Sequence, residues 1–146
     1  MKKTLLVSAC LLGTPSRYDG KSKGDGRVIA LLDKYDLIPV CPETLGGLPT
    51  PRQPSERVGE RVINRAGEDV TDNYMRGALA VLELARLYKC EGAILKAKSP
   101  ACGKGKIYDG SFSRTLGDGD GVCAELLMKN GIRVYTEEEL FKLDEL

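Results

Sequence analysis

Residues 92–103 read GAILKAKSPACG: a four-residue apolar run, Gly92–Leu95, followed by a polar stretch that turns at Ser99-Pro100 and carries Cys102. So short a run, bounded by turn residues, reads as a strand buried on both faces. Upstream, Asp72 stands where it would cap a helix over Asn73–Tyr88, with Leu79, Leu82, Ala85 and Leu87 as its apolar stripe. Downstream, Gly117–Gly121 opens a helix from Val122 to about Lys129, Asn130-Gly131 ends it, and Ile132–Tyr135 reads as another strand. The N-terminal part repeats the pattern. Thr4–Ala9 is apolar and ends at Cys10 and Gly13, Arg27–Tyr35 sets Val28, Leu31, Leu32 and Tyr35 at helical spacing, and Leu37–Val40 ends at Cys41-Pro42. Thr14–Gly26 and the proline-rich Pro42–Arg57 read as loops, and Thr136 with Glu139 fits a capping box for a terminal helix Glu137–Leu146.

The order β-α-β-loop-α-β-loop-α-β-α predicts an α/β fold, a parallel sheet of about four or more strands with helices on both faces. Right-handed crossovers then put every strand's C-terminal end on one edge, where open α/β sheets bind ligands. A length of 146 residues fits a single domain over 1–146. With 22 Lys plus Arg against 21 Asp plus Glu, the net charge of +1 argues against a duplex-nucleic-acid or membrane binder working by charge. A small-molecule ligand fits better. No apolar run approaches the ~20 residues of a membrane span. There is no His, which removes Ser-His-Asp and Cys-His catalysis and imidazole metal sites. Acid–base chemistry must rest on carboxylates, hydroxyls, lysines or thiols.

Five cysteines, an odd number, make a poor disulfide framework and suit a reducing cytoplasm. MKKTLLVSAC imitates a lipoprotein signal with Cys10 as the acylated residue, but its apolar stretch Thr4–Ala9 falls short of the ~7–15 residues of a working signal core. The reading is therefore a cytoplasmic chain. Cys10, Cys41 and Cys102 each follow a strand, on the edge expected to bind ligand, whereas Cys90 precedes its strand and Cys123 starts a helix, as packing residues would. Three thiolates suit a 4Fe–4S cube held at three corners, with a fourth iron open as a Lewis acid. The competing reading is that cysteines at these positions simply pack as small hydrophobes. Lys96, Lys98, Lys104 and Lys106 lie near Cys102 in sequence and would offset the negative charge of such a group.

Glu43, two residues beyond Cys41, is a candidate general base in a chain without imidazole, or a solvated loop carboxylate. Ser99, three before Cys102, can donate to a substrate or simply form a turn before Pro100. Arg52 can grip a polar substrate or pair with Glu56. Gly117-x-Gly119-x-Gly121 is not a phosphate fingerprint, since no expected strand precedes it and Asp118 and Asp120 repel anions; it reads as a flexible loop.

Taken in series, SACLLG with RYDG, VCPETLGGLPTPRQPSE, DVT with RGA, LKAKSPACGKGKIYDGSF and GDGDGVCAELLMKNGI resemble the short, single-domain thiouracil desulfidase family over residues 4–135. The resemblance implies a Rossmann-like α/β domain with an oxygen-sensitive 4Fe–4S cluster that removes sulfur from thiolated uracil, leaving uracil and sulfide. Carried over by motif, it implies Cys10, Cys41 and Cys102 as cluster ligands and Glu43 and Ser99 as the catalytic pair. Ala101 departs from the pattern, which has Ser in SPSCG. The expected partner is a small thiolated base, with no duplex nucleic acid and no membrane. The alternatives are a metal-free persulfide sulfurtransferase, with Cys123 a candidate carrier, and a non-catalytic metal or cluster protein.

Overall fold

The computed structural model describes residues 2–21 and 24–146. Among the described residues eight strands form: β1 (Lys3–Ser8), β2 (Tyr35–Val40), β3 (Ser55–Val58), β4 (Arg61–Asn64), β5 (Gly92–Leu95), β6 (Lys106–Tyr108), β7 (Leu116–Asp118) and β8 (Arg133–Thr136). The α-helices are α1 (Gly26–Ile29), α2 (Pro42–Leu45), α3 (Thr71–Leu87) and α4 (Val122–Lys129). The four apolar strands expected from sequence make one parallel sheet in the order β2-β1-β5-β8. The chain leaves β1 for β2 on one side and later returns to place β5 on the other. The topological switch, where open sheets bind ligands, therefore lies at the C-terminal end of β1.

Side-chain alternation divides the core in two. Leu6, Ala93, Leu95 and Val134 face α3 and α4 in one apolar cluster, while Leu5, Val7, Ile94 and Tyr135 face α1 and the 3₁₀ segments Ala9–Leu12 and Leu140–Glu145 in the other. Both faces of the sheet are covered. No helix among the described residues is long and apolar enough to cross a membrane.

The structure corrects several local expectations. The buried stripe of α3 is Tyr74, Ala78, Val81, Leu82 and Ala85, whereas Leu79 and Leu87 are exposed. The helix begins at Thr71, two residues earlier than expected, and its start is tied by Asp69, whose Oδ1 accepts from the Thr71 N–H at 2.9 Å and hydroxyl at 2.6 Å. The first helical segment is shorter than expected, α1 giving way to a 3₁₀ turn over Ala30–Asp33, and Tyr35 already belongs to β2. The Thr136–Glu139 box forms, with the Thr136 N–H donating to Glu139 Oε1 at 3.1 Å, but it opens the 3₁₀ segment Leu140–Glu145 and not an α-helix. The expected loops contain two antiparallel hairpins, β3–β4 and β6–β7. Within the expected loop Thr14–Gly26, residues 22 and 23 lie outside the described residues.

Candidate active site

The C-terminal ends of β1, β2 and β5 open onto a cavity of about 480 Å³, and Cys10, Cys41, Cys102, Glu43, Arg52 and Ser99 all line it. Each arrives by a different local device. Cys10 lies in the 3₁₀ turn after β1. Cys41 and Glu43 belong to α2 and its entry, and α2 lies directly on α3. A Cβ at Gly77 would sit 1.8 Å from the Pro42 carbonyl oxygen, and one at Gly46 would sit 2.0 Å from the Asn73 oxygen, so these backbones meet only because both residues lack side chains.

Cys102 is fixed by α4. The Val122 and Cys123 N–H groups donate to the Pro100 and Ala101 carbonyls at 2.8 and 2.9 Å, and Gly121 N–H donates to Gly103 O at 2.7 Å. The first N–H groups of this helix are thus spent on the loop that carries Cys102. A Cβ at Gly121 would lie 2.4 Å from the Ala101 carbonyl carbon. That glycine serves close approach, not loop flexibility, and Gly117 lies within strand β7.

The carboxylate of Glu43 is held firmly. Tyr74, 1% exposed on α3, donates its hydroxyl to Glu43 Oε2 at 2.6 Å, and Arg52 Nε donates to the same oxygen at 3.2 Å. Burial, and then the neighbouring Glu43 charge, push the Tyr74 hydroxyl well above its ordinary range, so it stays a proton donor. The Arg52 side chain is 5% exposed and spends its other donors on Ser16 O at 3.0 Å, Thr50 Oγ1 at 3.0 Å and Pro49 O at 3.3 Å. Its ion pair is with Glu43. Glu56 instead accepts from the Gly110 and Phe112 N–H groups at 2.9 and 3.1 Å.

Of the two roles weighed from sequence, the structure shows Ser99 in the turn-forming one. Its Oγ accepts from the Ala101 and Cys102 N–H groups at 3.0 and 2.9 Å, which forms the turn. A hydroxyl has two acceptor sites and one proton, so with both acceptor sites filled its remaining capacity is to donate.

None of the five cysteines is in a disulfide. Burial raises the Cys10 thiol to about 11, with Lys96 pulling down and Cys41 and Glu137 pushing up. Burial also lifts Cys102 well above the thiol range, with the neighbouring Cys123, Glu43 and Cys10 adding to the rise and the Ser8 hydroxyl opposing it. Ser8 Oγ donates to Cys102 Sγ at 3.4 Å and accepts the Lys96 N–H at 2.9 Å, and Thr44 Oγ1 donates to Cys41 Sγ at 3.2 Å. At neutral pH the Cys10 and Cys102 thiols ionise only when a cation compensates them. No group of three His, Cys, Asp or Glu among the described residues closes around a single ion. Three thiols spread over one cavity wall suit a larger thiophilic group that takes its ligands at separate corners. Of the four lysines expected to offset its charge, Lys96 and Lys98 line the cavity, Lys96 pairing there with Glu137 at 2.8 Å, while Lys104 pairs with Glu139 at 3.4 Å and Lys106 with Asp118.

Sequence reasoning missed Ser8, Tyr74 and the aromatic wall formed by Tyr108 and Phe112. Ser8 carried a signal, a hydroxyl directly ahead of Ala9-Cys10. Tyr74 carried only its phase on the α3 stripe. Of the cysteines read as packing, Cys123 is fully buried in the core and Cys90 packs against it half-buried.

An open α/β sheet whose switch point ends in a wall of thiols, with a clamped carboxylate beside them, defines a protein built for sulfur or thiophilic-metal chemistry. Residues 5–139 match the 2-thiouracil desulfurase family, and the chain belongs to that family. It is 40% identical over 146 residues to the Bacillus subtilis (strain 168) protein called "Uncharacterized protein YbbK", covering 93% of this chain and 97% of that one. A solved structure of a [4Fe-4S]-dependent thiouracil desulfidase, TudS, superposes with a TM-score of 0.93 at 44% identity, covering 99% of this chain and 97% of that one.

Proposed function

We propose that this chain is a desulfidase that takes sulfur from thiolated uracil to give uracil and sulfide, with a 4Fe–4S cluster held by Cys10, Cys41 and Cys102. The observation that carries the reading is the convergence of those three thiols, Glu43 and Ser99 on one cavity from three separate strand ends. Family membership and the similarity to a [4Fe-4S]-dependent thiouracil desulfidase support it. Cys10, Cys41 and Cys102 would hold the cluster, which when bound would supply Lewis acidity toward the substrate's sulfur.

The protein's own groups do the rest. Glu43, oriented through Oε2 by Tyr74 and Arg52, takes the proton of a water that attacks the thiocarbonyl carbon. Ser99 donates its one proton to the pyrimidine ring and so orients it. Arg52 bears on the substrate chiefly through the carboxylate it holds. Water enters and hydrogen sulfide leaves, no oxidation state changes, and no electron donor is required. The whole site lies in one domain over residues 1–146, suited to a reducing cytoplasm and to a small thiolated base as partner.

A metal-free sulfurtransferase using Cys123 is the weaker reading. Such a carrier needs an accessible, acidic thiol, and burial holds Cys123 inside the core with its thiol pushed up to about 12. The test is anaerobic reconstitution with iron and sulfide, followed by 2-thiouracil. Uracil and sulfide appearing in equal amounts, in step with bound iron, support the proposal. Turnover by a colourless, iron-free protein would overturn it.

A further inference from the structure

Both hairpins that the sequence hides meet at one part of the cavity wall. Phe112, in the turn joining β6 and β7, lines the cavity with φ +55, a backbone conformation that a bulky L residue seldom adopts. Its neighbours hold it there. Glu56 of β3, 8% exposed, spends Oε1 on the Gly110 and Phe112 N–H groups. Asp109 Oδ1 accepts from the Ser111 N–H at 2.9 Å and hydroxyl at 2.6 Å, and Asp109 N–H donates to Thr115 O at 3.0 Å. From the other hairpin, the Arg65 guanidinium lies 5.8 Å from the Phe112 ring centroid, within cation–π range. A half-buried ring, strained into place, tied by a buried carboxylate and steadied by a cation, is costly to maintain as mere packing. Such strain persists where the surroundings over-determine it, commonly at ligand clamps.

We propose that Phe112 is the stacking platform for the substrate's planar heterocycle and sets the enzyme's affinity for a thiolated pyrimidine. This rests on the desulfidase reading. Glu43 and Ser99 address the reacting carbon and the ring edge, and neither supplies a surface for the π face. Phe112 supplies it, and Glu56 and Arg65 keep it in position.

The test uses reconstituted holoenzyme and 2-thiouracil. Phe112→Ala and Phe112→Leu raise KM about ten- to a hundredfold, the usual worth of base–aromatic stacking, with kcat changed by only a few-fold. Phe112→Tyr restores KM. The leucine variant separates π stacking from apolar bulk. The chain contains no Trp and only two Phe, so Phe112→Trp introduces a single reporter whose emission uracil quenches saturably; Phe141→Trp, at a residue 76% exposed and absent from the cavity wall, does not respond. An unchanged KM in iron-loaded Phe112→Leu, or uracil-insensitive emission from Phe112→Trp, overturns the proposal. If the wild-type holoenzyme releases no sulfide, the desulfidase reading falls, and the uracil titration of Phe112→Trp still decides whether a pyrimidine sits on this ring.

Discussion

Gly77→Ala separates local helix preference from the demands of the site. In a helix interior alanine is favoured over glycine by ~1 kcal/mol, so on propensity alone the substitution stabilises α3. Here the added Cβ meets the Pro42 oxygen at 1.8 Å, the Pro42 carbonyl carbon at 2.7 Å and Gly46 N at 3.2 Å. These are backbone atoms and cannot rotate away. Reaching an ordinary contact of 3.4 Å requires α2 to withdraw by 3.4 − 1.8 = 1.6 Å along that contact. Overpacking of this kind costs ~1–3 kcal/mol, so it offsets the propensity gain of ~1 kcal/mol and leaves the variant less stable by up to about 2 kcal/mol. The larger effect is functional, because Cys41 and Glu43 move with α2, and a misplacement of about 1 Å can cost 10²-fold in rate. Urea unfolding of wild type and variant reads the first effect. Iron content and thiouracil turnover after reconstitution read the second. Gly26→Ala, whose Cβ meets nothing within 4 Å, is the control and stays within about 0.5 kcal/mol of wild type. A Gly77→Ala protein that is more stable than wild type, binds full iron and turns over normally would refute the reasoning.

Glu43→Gln is expected to keep bound iron and lose ~10²–10⁴-fold in turnover, the usual worth of a positioned proton transfer, checked by iron assay and steady-state kinetics. Tyr74→Phe removes one hydrogen bond to a carboxylate, worth ~1.5–3 kcal/mol, and is expected to slow turnover about ten- to a hundredfold at unchanged iron content. In the metal-free chain the buried thiols make stability fall with alkali. Cys10 is raised to about 11 and Cys123 to about 12, so above the ordinary thiol range near 9 the unfolded chain ionises while the folded one retains its protons. Each such thiol then costs about 1.4 kcal/mol per pH unit until its folded value is reached. Urea midpoints between pH 8 and 10 should therefore decline, and less steeply in Cys123→Ala; a flat profile would count against those burials.

The sheet was legible because its central strands β1 and β5 are buried on both faces and so read as unbroken apolar runs, Gly92–Leu95 most plainly. The hairpins were not. Ser55–Val58 (SERV) and Lys106–Tyr108 (KIY) are too short and too polar to show a strand period, and their partners make them strands. On α3 the sequence reading followed leucines; phase decides, and Tyr74, Ala78, Val81 and Ala85 share the buried side while Leu79 and Leu87 do not. The cysteines, Glu43 and Ser99 were visible as strand-end residues. The groups that hold them were not: Tyr74 is 31 residues from Glu43 and reaches it because α3 packs on α2, and Ser8 is 94 from Cys102 and reaches it because β1 and β5 end side by side.

The most direct measurement of the central claim is iron and acid-labile sulfide per chain after anaerobic reconstitution of the five single Cys→Ser variants. The account predicts about four iron in wild type, Cys90→Ser and Cys123→Ser, with loss of iron and of sulfide release from 2-thiouracil together in Cys10→Ser, Cys41→Ser and Cys102→Ser. Full iron in any of those three, or its loss from Cys90→Ser or Cys123→Ser, would contradict it.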